Sequence, residues 1–332
     1  MESLIKFFCE YHKQDEFLKF QNDLADELYD SLSKKYSNGE VAMVKEMCNI
    51  LNSKKYKNLN LYSKMLHGFQ TSGVQFKNQN ITTKKELADM VIISIATLNN
   101  KILFQKIAFI QNKKDDKKGN TWLIDQDQLY LLQNFPTFDW IKGSKKNGTK
   151  ELKGRKNICL PNYSKTLGNY GLFQSPGEMI LINALNVFKL QNNKRISFDD
   201  IKRFSYNKQC DNSFFSCCGF EFFIHEFRYW LKYHPECCFP FFNFPFLNNV
   251  EISYNIYDFV RNWSLFNIGE IVTINGVHLN KELSKLSGAF IKSVVTDFGN
   301  VELDIEGYEN IEEYMTENGT AVFVNHFNYR QE

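Results

Sequence analysis

Three polar residues stand at the two ends of one apolar hairpin. Residues 90–96 form a short run rich in β-branched side chains, Leu98, Asn99, Asn100 and Lys101 give a turn signal, and residues 102–110 return as a second apolar run. Asp89 precedes the first run, while Gln111 and Lys113 follow the second. Antiparallel pairing sets the start of one strand beside the end of the other. Residues two apart on a strand share a face. Asp89, Gln111 and Lys113 are therefore expected to converge at one open edge. A hard divalent cation such as Mg²⁺ or Mn²⁺ takes oxygen ligands. Asp89 offers a carboxylate, Gln111 an amide oxygen and Asn112 a backbone carbonyl. Lys113 beside them would orient or deprotonate an attacking water, or offset charge on a phosphate. Glu86 lies three residues before Asp89. In a helix or turn it would face the same way and hold a second metal ion, while Thr83 followed by Glu86 reads equally well as a helix-capping box. The plainer reading of the whole pattern is an ordinary hairpin with a polar exit.

The order Glu86-Leu87-Ala88-Asp89, strand, turn, strand, Gln111-Asn112-Lys113 resembles the PD-(D/E)xK nuclease superfamily. It is similar to the variant with Gln in the second half-motif, found among Mrr-like restriction enzymes and bacterial anti-phage effectors. No Pro precedes Asp89, and Asn112 stands where an apolar residue is usual. The resemblance covers roughly residues 60–135. It implies an α/β, restriction-endonuclease-like mixed sheet flanked by helices, and Mg²⁺- or Mn²⁺-dependent hydrolysis of DNA phosphodiester bonds. In that family the residue matching Asp89 holds the metal, that matching Gln111 completes the site, and that matching Lys113 assists the attacking water. An acid from an N-terminal helix often joins them, and Glu40 and Glu46 are the candidates. The implied setting is bacterial defence against phage, with a second defence-system protein as a possible partner. The alternative is a catalytically degenerate module of the same fold that binds nucleic acid or a protein.

Charge is distributed unevenly. The net charge is only +2. Yet residues 101–156 hold 13 Lys and Arg against 6 Asp and Glu, and residues 297–332 hold 9 acids against Arg330 alone. Lys142, Lys145, Lys146, Lys150, Lys153, Arg155 and Lys156 form a basic, Gly- and Asn-containing stretch that would meet phosphates, with the acidic tail opposing it. Two solvated faces are the simpler reading.

The elements that position these residues follow from periodicity. Residues 1–66 read as helical, broken by a turn at Ser37, Asn38 and Gly39. Residues 124–135 read as a helix stopped by Pro136, and residues 175–182 suit a helix start or a strand equally. Ser197 to Asp200 is a capping box. Further helices are expected at 220–233, 256–266 and 280–294, with strands at 301–305 and 321–324. At 332 residues two lobes are the default: 1–175 carrying the hairpin, and 176–332 as a mixed α/β lobe for partner binding, dimerisation or control. A homo-oligomer is the expectation. With 43% apolar and 23% charged residues the chain is not disordered, collagen-like or a coiled-coil rod. No stretch reads as an export signal or a membrane span, so a cytoplasmic location with reduced thiols is expected. Cys217, Cys218, Cys237 and Cys238, with His225 and His234, would pack as small apolar groups or hold zinc. His67 reads as a turn or packing residue, and Gly168 to Gly171 lacks the residues of a phosphate loop.

Overall fold

A computed structural model describes residues 14–52, 54–66, 73–116, 120–141, 155–210, 250–274, 276–295, 301, 303–314 and 319–329. In chain order the strands are β1 (Lys54–Tyr56), β2 (Leu59–Leu66), β3 (Val74–Asn78), β4 (Ile81–Lys85), β5 (Met90–Leu98), β6 (Lys101–Lys114), β7 (Thr121–Leu123), β8 (Phe138–Trp140), β9 (Gly168–Gln174), β10 (Glu178–Asn183), β11 (Arg195–Ser197), β12 (Ile252–Ser253), β13 (Glu270–Ile274), β14 (Val277–His278) and β15 (Thr320–Tyr329). The helices are α1 (Asp15–Lys35), α2 (Glu40–Leu51), α3 (Gln126–Asn134), α4 (Ala184–Leu190), α5 (Phe198–Cys210), α6 (Ile256–Ser264) and α7 (Lys281–Val294).

One mixed sheet of ten strands runs β1-β2-β15-β5-β6-β9-β10-β12, with β13 and β14 attached beside the first half of β6. β6 is its spine. It pairs with β5 as an antiparallel hairpin, with β13 over its early residues, and in parallel with β9 from Phe109 onward. The expected hairpin is therefore present and central. Its continuous apolar runs have a cause, because both faces are covered. Val91, Ile93, Ile107 and Phe109 pack with residues of α3 and α7, while Met90, Ile92, Ala108 and Ile110 pack with α1, α2 and α6.

Two sequence expectations change and one open reading is decided. Residues 59–66 form a strand, not a helix, with Leu59, Leu61 and Ser63 alternating into the interior. Residues 178–183 are a strand that turns back on β9. Residues 303–305 form no strand; Leu303 and Ile305 pack their apolar faces against the core without a ladder. The expected boundary near residue 175 falls in the turn of the β9–β10 hairpin, and β15 lies between β2 and β5, so segments on both sides of it build one sheet. The helix expected at 220–233, the cysteine doublets, His225, His234 and His67 lie outside the described residues. Among those described, Cys48 is buried, which pushes its thiol up to about 12, and Cys159 is exposed. No described helix is long and apolar enough to cross a membrane.

Buried His326 in β15 places its Nε2 2.8 Å from Thr97 Oγ1. Burial lowers its pKa from 6.5 to about 4. The folded chain keeps the ring neutral while the unfolded chain protonates near 6.5, so stability is lost as pH falls from 6.5 toward 4. This one group accounts for a loss on the order of 3 kcal/mol. Urea unfolding across that pH range should show it, and His326→Gln should flatten the fall. A variant with the same fall would place the titration elsewhere.

Candidate functional site

Asp89 is held from both neighbouring strands. Its N–H donates to the Ile110 carbonyl at 3.0 Å, and its carbonyl accepts from Ala321 N–H at 2.9 Å. One residue back, Thr320 Oγ1 donates to the Ala88 carbonyl at 2.9 Å. The Asp89 side chain then reaches across the hairpin. Its Oδ2 accepts the backbone N–H of Asn112 at 2.7 Å and a further hydrogen bond from Gln111 Nε2. Lys113, two residues on along the same face, lies close enough for its ammonium to favour the Asp89 carboxylate.

Two more acids lie near enough to act on Asp89 through their charge. Glu40 opens α2, after a sharp turn that Gly39 makes at φ 91°. Its Oε1 accepts the Lys114 N–H at 2.7 Å, which brings the start of α2 against the end of β6. Glu46, further along α2, instead accepts from Asn49 Nδ2 at 3.4 Å. Glu86 follows β4 directly. Thr83 lies within that strand and no helix begins there, so the capping-box reading fails. The Glu86 carbonyl accepts from Gln128 Nε2 of α3 at 2.8 Å, and Lys85 pairs at 2.5 Å with Asp125, the N-cap of α3. The start of α3 is thereby docked beside the site. Burial is the main influence on Asp89 and pushes its pKa up to about 7. The Glu86 and Glu40 carboxylates push the same way, against the Asn112 N–H and Lys113.

Sequence reading missed a set of unpartnered polar atoms. Gln111 Oε1, both polar atoms of the Asn112 side chain and Tyr170 Oη are buried without a hydrogen-bond partner. Buried polar groups are normally paired, so Gln111 Oε1 and Tyr170 Oη, on one face of the sheet, mark a place where a ligand or water completes the bonding, while the Asn112 side chain lies on the opposite face beside Gly171. Tyr170 lies beside Gln111 in the β6–β9 register. Its signal in sequence was a Tyr between two glycines, read only against a phosphate loop. Those glycines serve packing: a Cβ at 168 would lie 2.0 Å from the Leu132 carbonyl oxygen, and one at 171 would lie 2.3 Å from Asn112 Oδ1.

The basic stretch divides. Lys142, Lys145, Lys146, Lys150 and Lys153 lie outside the described residues, and Lys156 is exposed. Arg155 is engaged within the fold. Its Nη2 is 3.0 Å from Glu282, and the guanidinium stacks 4.1 Å from the Tyr308 ring centre. A free phosphate contact is not what this side chain offers. Part of the acidic tail is likewise engaged: Glu306 pairs with Lys285 at 2.7 Å and Glu312 with Lys64 at 2.8 Å. The chain matches no protein-family model, no curated protein and no solved structure.

The donor set at Asp89 fits a hard cation. It is made of oxygens, and Gln111 Oε1 is a buried acceptor with nothing on it. Among the described residues no three Asp, Glu, His or Cys side chains come together as a metal site. A cation would therefore be held by Asp89 together with the Gln111 amide and Asn112 carbonyl oxygens. Asp89→Asn removes a charge that burial and two carboxylates disfavour, so the cation-free variant should melt no lower than the native protein. Mg²⁺ should raise the melting temperature of the native protein and not of the variant. Equal Mg²⁺ shifts in both would move the cation away from Asp89.

Proposed function

We propose that this chain is a metal-dependent endonuclease that hydrolyses DNA phosphodiester bonds, acting in the bacterial cytoplasm as the effector of an anti-phage defence system. The observation that supports it best is the convergence of Asp89, Gln111 and Lys113 on one face at the exit of the β5–β6 hairpin. This is the arrangement that the resemblance to PD-(D/E)xK nucleases implies for these positions. The mixed α/β sheet flanked by helices is compatible with it. Mg²⁺, when bound, supplies Lewis-acid stabilisation of charge on the phosphate and a more acidic water. Asp89 and Gln111 would hold the cation. The Lys113 ammonium orients the attacking water and offsets charge on the scissile phosphate. Glu86, three residues before Asp89, would hold a second cation, and Glu40, brought to the end of β6 by its bond to the Lys114 N–H, is the acid that an N-terminal helix supplies. Lys156, with the lysines that precede it in the chain, would track the DNA backbone.

One observation favours the rival reading of a degenerate nuclease-fold module that binds nucleic acid or a partner protein. Gln111 turns its N–H, not its oxygen, toward Asp89. A single variant separates the two. Lys113 is partly exposed at a strand exit, so Lys113→Ala should shift the melting temperature by no more than about 2 °C. It should reduce Mg²⁺-dependent DNA cleavage by at least about 100-fold. Cleavage unchanged in the folded variant would remove Lys113 from the reaction, and no cleavage by the native protein would favour the binding module.

A further inference from the structure

Three adjacent strands carry a row of complementary groups. Asp89 at the head of β5 is an acceptor, Gln111 on β6 is an amide, and Tyr170 on β9 is a phenol. Gln111 lies between the other two, because β6 is flanked by β5 on one side and β9 on the other. Its Nε2 is spent on Asp89, which leaves Oε1 as an acceptor without a donor. Tyr170 is fully buried in the same apolar cluster as Ile107 and Phe109, on the face that Gln111 continues. Its Oη is a donor without an acceptor. A phenol buried among apolar side chains normally finds a partner. Burial holds its pKa far above the working range, so it remains a neutral donor.

We propose that Tyr170 is a positioning residue for Gln111: its hydroxyl donates to an internal water that donates in turn to Gln111 Oε1, fixing the amide with its N–H on Asp89. One water satisfies both lone groups, and two or more polar partners are what a buried water requires. The role in cation binding rests on the reading of Asp89 and Gln111 as a cation site. The link between Tyr170 and Gln111 does not. Outer partners that orient a ligand residue change cation affinity about 10-fold or more when removed.

The test is a double-mutant cycle of Tyr170→Phe and Gln111→Ala in the full chain, read by melting temperature and by calorimetry with Mn²⁺. Tyr170→Phe removes one oxygen and keeps the ring. If the hydroxyl is water-linked to Gln111, its loss lowers the melting temperature by about 2 °C. The same change has little further effect in the Gln111→Ala background. Because the cation needs the amide oxygen where the N–H now sits, releasing the amide in Tyr170→Phe is also expected to tighten Mn²⁺ binding about 10-fold. A lone unsatisfied hydroxyl behaves in the opposite way, since its removal raises the melting temperature. That rise, or effects that simply add, would overturn the proposal. If the native protein takes up no Mn²⁺, the cation reading fails, and coupling or additivity in melting temperature alone still supports or overturns the Tyr170–Gln111 link.

Discussion

A carboxylate drawn out of water must find donors, and Asp89 finds them in its own hairpin partner. The backbone N–H of Asn112 and the Gln111 amide hold one carboxylate oxygen. Burial and the nearby Glu86 and Glu40 carboxylates disfavour its charge all the same. The donors that offset this cost are held in place because β6 is flanked by β5 on one side and by β13 and β9 on the other. The surrounding elements can be understood through that requirement. α2 brings Glu40, α3 docks on Glu86 through Gln128, and β15 accepts the task of holding the Asp89 backbone.

The contribution of β15 ties distant sequence to the site. It pairs in parallel with β5 and antiparallel with β2, and nearly all its described side chains are buried. The acidic segment just before it pairs with Lys285 and Lys64 of the core. Its charge is thus partly spent within the fold, which weakens the idea of an acidic tail opposing a basic surface. Arg155 tells the same story from the other side, through Glu282 and Tyr308. These partly exposed pairs add little stability individually. Their effect is to fix where the basic stretch rejoins the sheet.

What could be read from sequence was local. The hairpin was legible because its runs are β-branched and apolar on both faces, and the meeting of Asp89 with Gln111 followed from antiparallel pairing and a period of two. The N-terminal helices and their turn at Gly39 were legible from helical spacing. Residues 59–66 were absorbed into a helix because Leu59, Leu61 and Leu66 fit either period over so short a run. That Glu40 and not Glu46 meets the end of β6 depends on the approach of α2 to Lys114, a contact 74 residues apart. Tyr170 and the central place of β15 depend on crossovers between strands far apart in the chain, which no local pattern carries. Leu303 and Ile305 show the converse error: alternation buries one face of a segment without giving it a partner strand.

The proposed chemistry stands on Asp89 and Gln111 together forming a cation site. Anomalous diffraction from crystals soaked in Mn²⁺ tests it most directly, since the ion scatters where it binds. The expected result is a peak within ligand distance of an Asp89 carboxylate oxygen and of Gln111 Oε1, with the amide oxygen no longer unpartnered. Well-occupied Mn²⁺ elsewhere in the crystal, with the Gln111 N–H still on Asp89 and no density between them, would contradict it.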